Sequence, residues 1–159
     1  MTDVRYFEDL SVGDEWDAGV ATITEEELLA FAERYDPQAF HTDEAAADRH
    51  FGGLIASGWH TAAACMRPFV DAVLADLAVV AAIGIDDLRW HAPVRPEDEL
   101  SVRVCVVGRD GWDETRGRVS FELLARNQDG QLVHSRTDRV LVERRAAGKT
   151  AAGKSAQST

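Results

Sequence analysis

The chain has 159 residues, of which 45% are hydrophobic and 28% are charged, and its formal net charge is −11 at pH 7. This length fits one domain with a substantial core, and the apolar runs fall far short of the roughly 20 residues that a membrane-spanning helix needs. The acidic balance disfavours binding to nucleic acid or to an anionic membrane, because their phosphate groups would be repelled.

The first predicted elements are a strand and a helix. Residues Met1–Asp9 lack the basic and apolar regions of a secretory signal, so we expect a cytoplasmic protein. A strand is expected near Glu15–Ile23. Thr24–Glu27 is a capping box, which predicts that a helix begins here. The apolar residues that follow have helical spacing and form one inward-facing stripe: Leu28, Phe31, Ala32 and Tyr35.

Asp36 and His41 lie where this helix should end. Pro37 disfavours helical backbone at the residue before it, so we expect both side chains on irregular backbone. Histidine titrates near neutrality, and a neighbouring carboxylate can orient its ring or hold a water molecule. The pair is therefore a candidate acid/base site. Its spacing alone is more typical of a turn aspartate and a surface histidine.

Two more helices are predicted downstream. A short helical turn is expected from Asp43 to Asp48, capped by Thr42 or Asp43. A long helix should begin near Ser57–Gly58, and its apolar residues on more than one face favour a position against a sheet. Pro68 lies inside this helix, so we expect a bend or a break near Arg67.

The second half of the chain is predicted to form strands. A strand is expected near Ile85–His91, and two runs then alternate with period two. Their apolar members are Leu100, Val102, Val104, Val106, Val119, Phe121, Leu123 and Ala125. The segments Gly108–Gly111 and Asn127–Gly130 are typical of tight turns. These elements predict an α+β domain over residues 1–145, with helices on one face of an antiparallel sheet. The tail, residues 146–159, is expected to be disordered.

Three blocks of the sequence resemble the MaoC-like family of (R)-specific enoyl-CoA hydratases and dehydratases. The first contains Asp36, His41, Asp43 and the alanines at 45–47, with Gln38 in place of the family's asparagine and the proline before it. The second is Phe51–Thr61, similar to the glycine-bearing entry to the family's central helix. The third is Leu88–Leu100, similar to a strand-turn-strand unit. The resemblance covers roughly residues 6 to 143.

The resemblance implies a hotdog fold, in which an antiparallel sheet wraps around a long central helix. It also implies a homodimer or a dimer of dimers. The implied reaction is reversible hydration of a 2-enoyl thioester, carried by coenzyme A or an acyl carrier protein, to a 3-hydroxyacyl thioester.

Catalysis would then fall to Asp36 and His41. His41 would act as the base toward water, and Asp36 would orient that water and exchange protons at C2. The backbone amide of Gly58, at the start of the central helix, would donate to the thioester oxygen. Substrate contacts are expected from Ser57, Trp59 and Gln38.

Other readings of the site remain open. Related hotdog chains hydrolyse acyl thioesters with one carboxylate, so an acyl-CoA thioesterase is one alternative, and a catalytically silent acyl-binding or dimer-partner subunit is another. The histidine and cysteine spacings match no metal motif, so we predict no metal and no cofactor beyond the coenzyme A of the substrate. Cys65 and Cys105 are expected to be buried thiols. Arg89, Arg95 and Arg103 are the candidates to attract an anionic carrier.

Overall fold

The computed structural model of the protein describes residues 3–146, and the predicted disordered tail lies outside them from residue 147 onward. Five helices and five strands form the domain, with two short 3-10 helices at Phe7–Asp9 and Leu74–Asp76. The helices are α1 (Glu25–Tyr35), α2 (Ala39–Thr42), α3 (Glu44–Phe51), α4 (Gly58–Ala64) and α5 (Met66–Ala72). The strands are β1 (Glu15–Thr22), β2 (Val79–Trp90), β3 (Glu99–Gly111), β4 (Arg116–Arg126) and β5 (Leu132–Glu143).

All five strands belong to one sheet in the order β1-β3-β4-β5-β2, and every neighbouring pair is antiparallel. Alternate residues of β3 and β4 are buried on the face that meets the helices. Phe69 of α5 packs edge-on against Phe121 of β4, with ring centroids 5.4 Å apart. The core therefore lies between the sheet and the α4–α5 layer, and the predicted α+β architecture is confirmed.

The central helix is divided into two consecutive pieces, α4 and α5, which meet at Cys65. The break comes two residues before Arg67, the expected position. Pro68 becomes the third residue of α5, so its missing N–H falls among the first amides, which have no acceptor within a helix. In a continuous helix its ring would have clashed with the carbonyl of Ala64, which explains the interruption.

One of the two predicted turns is wrong. Gly108–Gly111 lies inside β3, where Gly108 pairs with Ser120 and Gly111 with Gly117. The chain turns at residues 112–115 instead. The Asp113 carboxylate accepts hydrogen bonds from the amides of Thr115 and Arg116 at 2.9 and 2.8 Å, an aspartate turn that needs no glycine. The other turn, Asn127–Gly130, is confirmed, with Gly130 at a φ of 75°.

Strand β2 begins at Val79, six residues before the predicted start at Ile85, and it forms an edge of the sheet. Its first half is apolar at nearly every position, so it lacks the alternation that indicates a strand with one buried face. Within residues 3–146, no helix has the length and apolar character needed to cross a membrane.

Candidate active site

Asp36 and His41 are positioned by two successive helices. The capping box of Thr24 and Glu27 begins α1 as predicted, and α1 ends at Tyr35, so that Asp36 is its C-cap. His41 lies in the one-turn helix α2, which Gln38 precedes as N-cap. The prediction of irregular backbone is thus correct for Asp36 and wrong for His41. Pro37 ends α1, but the residues after it are free to begin a new turn.

The two side chains meet. Asp36 Oδ2 lies 3.4 Å from His41 Nε2, and the two side chains are 17% and 6% exposed. This places a carboxylate and an imidazole close enough to act on one water molecule, in a region from which most solvent is excluded.

A backbone carbonyl fixes the protonation pattern of His41. Its Nδ1 lies 2.8 Å from the carbonyl oxygen of Ile55. Because a carbonyl only accepts hydrogen bonds, Nδ1 carries the proton in the neutral ring, and Nε2 presents a lone pair toward Asp36. Sequence reasoning missed this contact, since any residue type at position 55 supplies the same carbonyl.

Two donors hold the Asp36 carboxylate. The Ser57 hydroxyl donates to Oδ2 at 2.7 Å, and the Gln38 amide donates to Oδ1 at 2.7 Å. These bonds, with that of Ser57 the larger cause, lower the pKa of Asp36 below its usual value despite partial burial. Asp36 is therefore ionised at neutral pH. Ser57 and Gln38, predicted as substrate contacts, both bind Asp36 in this structure.

His41 borders a cleft of about 280 Å³, and Asp36 lies behind His41, outside the cleft lining. His41 and Gly58 line it together with mainly apolar residues. The other lining residues are Phe51, Ile55, Ala56, Thr61, Trp90, His91, Ala92, Pro93, Val94 and Val133. Trp90 and His91 were not among the predicted site residues, although both lie in the third block of the family resemblance.

Gly58 is the first residue of α4 and packs against Trp90. A methyl group built at its Cβ position would lie 2.3 Å from Cε2 of the Trp90 indole, far inside contact distance. Any side chain at position 58 would thus displace Trp90.

Trp59, predicted as a substrate contact, is not among the cleft-lining residues. It is 60% exposed and packs edge-on against Trp90, with ring centroids 5.2 Å apart.

The described residues, 3–146, include no cluster of three or more histidine, cysteine or acidic side chains arranged to hold a metal ion. Cys65 is buried and Cys105 is half-buried, and both are free thiols. Burial raises the pKa of Cys65 to about 11, which disfavours the reactive thiolate at neutral pH.

The chain is similar to known proteins over most of its length. Residues 10–126 match the MaoC like domain family. A MaoC-like dehydratase from Rhodospirillum rubrum is 40% identical, with a TM-score of 0.81, over 89% of this chain and 98% of that one. The uncharacterised protein YdeM of Bacillus subtilis is 25% identical over 86% of this chain and 98% of its own length.

More distant structures share the fold. The (R)-hydratase PhaJ1 of Pseudomonas aeruginosa is 23% identical, with a TM-score of 0.66, over 93% of this chain and 95% of that one. A Mycobacterium tuberculosis protein described as a double hotdog fold is 21% identical, with a TM-score of 0.70, over 93% of this chain and 47% of that one. The chain belongs to the MaoC-like domain family and has a hotdog fold.

Proposed function

We propose that the protein catalyses the reversible addition of water to a 2-enoyl thioester, giving a 3-hydroxyacyl thioester. The observation that carries this proposal is the contact of Asp36 with His41, whose tautomer is fixed, beside an apolar cleft. The family's MaoC-like dehydratase and the (R)-hydratase of the same fold support the reaction class.

The first step is attack of water on C3. The lone pair on Nε2 of His41 accepts a proton from water while the water oxygen bonds to C3. Asp36 stays a carboxylate because two hydrogen bonds lower its pKa, so it can orient the water and stabilise the imidazolium that forms. The electron pair of the double bond moves toward the thioester and generates an enolate oxygen.

The second step is protonation of C2. We assign the Gly58 amide to the enolate oxygen, because the first amide of a helix has no acceptor within it and Gly58 lines the same cleft as His41. His41 then returns its proton to C2 on the face that the water attacked. In this scheme Asp36 orients the water and His41 carries out both proton transfers. The sequence alone had left open which of the two residues protonates C2.

The carrier of the acyl group is proposed to be coenzyme A or an acyl carrier protein. Among the three candidate arginines, the guanidinium of Arg95 donates to the carbonyl of Phe51, which lines the cleft, whereas that of Arg89 donates to the carbonyl of Leu88, which does not. Arg103 pairs with Glu15 on exposed positions of β1 and β3. Arg95 is thus the better candidate for carrier phosphates. A cytoplasmic location remains a prediction.

We also propose that two copies associate through β2. This strand is an edge of the sheet, and it exposes several large apolar side chains. They are Val79, Val80, Ile83, Ile85 and Trp90. An exposed edge of this kind is a template for pairing with another strand, so a second copy of β2 is a suitable partner. Analytical sedimentation of the wild-type protein should give the mass of a dimer. Ile83→Lys should shift the equilibrium toward the monomer. A monomeric wild-type protein would contradict the proposal.

The reaction is tested by incubating the protein with crotonyl-CoA while following the enoyl absorbance and free thiol in parallel. Hydration removes the absorbance without releasing thiol. Thiol release would identify a thioesterase. If neither signal changes while the protein binds butanoyl-CoA, it is a silent acyl-binding subunit and the proposal is wrong.

A further inference from the structure

We infer that Trp90 limits the length of the acyl chain, so that the protein acts on short 2-enoyl thioesters and excludes long ones. The inference rests on the proposed function for the choice of substrate. It concerns a residue that takes no part in the proton transfers.

Trp90 forms a wall of the cleft beside His41 and Gly58, the two groups that are proposed to act on the substrate. The cleft is lined by His41, which faces C3 in the proposed reaction, and by Gly58, which faces the thioester oxygen. Trp90 lines the same space, and its indole fills the volume next to Gly58. We place the part of the acyl chain beyond C3 against this indole, because it lines the same space as His41.

The indole is held in position. Trp90 is the last residue of β2 and pairs with His134 of β5, and the next amide, that of His91, donates to the carbonyl of Val133 at 2.9 Å. Trp59 supports the ring edge-on from α4. Strand pairing thus holds the Trp90 backbone, and Gly58 and Trp59 of α4 contact one side of its ring, while 45% of the residue stays exposed. A movement of the ring toward Gly58 would disturb α4.

The cleft within one chain is also small. Its volume of about 280 Å³ lies at the lower limit of the roughly 300–1,000 Å³ of typical ligand pockets. Replacing the indole by a methyl group would extend the cleft along Gly58. Most of the other lining residues are apolar, so the added space would suit methylene groups and not the polar carrier.

The test compares Trp90→Ala with the wild-type protein on crotonyl-, hexenoyl-, octenoyl- and decenoyl-CoA. We expect the wild type to prefer the shorter substrates. In the variant, kcat/KM for longer chains relative to crotonyl-CoA should rise by about fourfold for each methylene newly buried. Trp90→Phe should give an intermediate change. Trp112 is an exposed tryptophan in the β3–β4 turn. Trp112→Ala is therefore the matched control, and it should leave the ratio unchanged.

A ratio that stays constant while all rates fall together would overturn the inference, because it would mean that Trp90 only supports the fold. Calorimetric binding of saturated acyl-CoAs to the same variants separates this result from failure of the proposed function. If no enoyl-CoA is hydrated, the proposed reaction is wrong. The inference about Trp90 then stands only if Trp90→Ala shifts the binding preference toward longer acyl chains.

A second test uses the contact between Trp90 and Gly58. Gly58→Ala should move the indole and alter the chain-length preference, and adding Trp90→Ala should remove the steric conflict and restore thermal stability toward that of Trp90→Ala alone. Gly84→Ala on β2, where an added methyl group meets nothing within 4 Å, is the control. If Gly58→Ala leaves both stability and preference unchanged, the wall is not fixed and the inference is wrong.

Discussion

Two polar clusters contact opposite ends of the short helix α4, and both contain an aspartate and a histidine. The cleft cluster, defined here as Asp36, His41 and Ser57, meets its N-terminal end. The buried cluster, His134, Arg136 and Asp138 of β5, meets its C-terminal half through Arg136. They differ in access to the cleft, because His41 lines it and no member of the buried cluster does.

The buried cluster is closed by its own contacts. Arg136 donates to Asp138 at 2.8 Å, to the carbonyl of Ala62 at 2.7 Å and to the sulfur of Met66. His134 uses Nδ1 toward the carbonyl of Arg89 and contacts Arg136 through Nε2. Arg136 thus connects β5 to both α4 and α5. In the cleft cluster, by contrast, His41 Nε2 and Asp36 Oδ2 are 3.4 Å apart and are both acceptors when the ring is neutral, so a water molecule can donate to either atom.

Residue types alone therefore do not distinguish a proposed reactive site from a structural cluster. In the proposed function an aspartate and a histidine take part in chemistry where a cleft reaches the histidine. In the buried cluster Arg136 contacts both Asp138 and His134, and these contacts hold the strand and the helices together. The two clusters should therefore separate activity from stability when they are changed.

The largest effect is expected from the cleft cluster. Asp36→Asn and His41→Gln preserve side-chain size, so each should lower the hydration rate by about 10²–10⁴-fold with little loss of thermal stability. Initial rates with crotonyl-CoA and thermal unfolding by circular dichroism measure the two quantities. Both variants retaining full rate would show that the pair is not the catalytic site.

The next effect is expected from the buried cluster. Arg136→Met leaves the buried carboxylate of Asp138 without its partner, which typically costs about 3–5 kcal/mol of unfolding free energy. Urea denaturation measures this loss. The double variant Arg136→Met/Asp138→Leu removes both charges and should recover much of the stability. An Arg136→Met protein as stable as the wild type would contradict the structural role.

A smaller, pH-dependent effect is expected from His134. Burial lowers the pKa of His134 to about 4 from an ordinary value of 6.5. As the pH falls below 6.5, His134 becomes protonated in the unfolded chain but stays neutral in the folded chain. The free energy of unfolding therefore decreases down to about pH 4, by at most ~3 kcal/mol. Urea midpoints between pH 7 and 4.5 should fall less steeply in His134→Gln than in the wild type. His50→Gln, at an exposed position, should match the wild-type slope.

Much of this framework could be predicted from local sequence signals. The capping box predicted α1, period-two alternation predicted β3 and β4, and Pro37 predicted where Asp36 would lie. The inward-facing stripe of α1 was only partly correct, because Leu28 and Ala32 are buried but Tyr35 is 64% exposed. These signals succeed because each reflects the conformational preference of a few neighbouring residues.

The contacts that complete the site could not be predicted in this way. Ser57 binds Asp36, Ile55 orients His41 through its backbone, and Trp90 covers Gly58, and each joins residues far apart in the sequence. The first half of β2 was missed because an apolar edge strand has no alternation. Tertiary packing decides these features, and a single sequence does not record it.

The smallest effect is expected from Ser57→Ala, which refines the comparison within the cleft cluster. The Ser57 hydroxyl is the larger cause of the lowered pKa of Asp36, so its removal should raise that pKa, and the acidic limb of the pH–rate profile should move to higher pH. A hydrogen bond to a charged group contributes about 1.5–3 kcal/mol, so the rate near neutrality should fall by less than in Asp36→Asn. Ser135→Ala removes a hydroxyl that contacts His91 and not Asp36, and it should leave the acidic limb in place. An unchanged limb in Ser57→Ala would mean that Asp36 does not control the acidic side of the profile, which would then have to be assigned to another group.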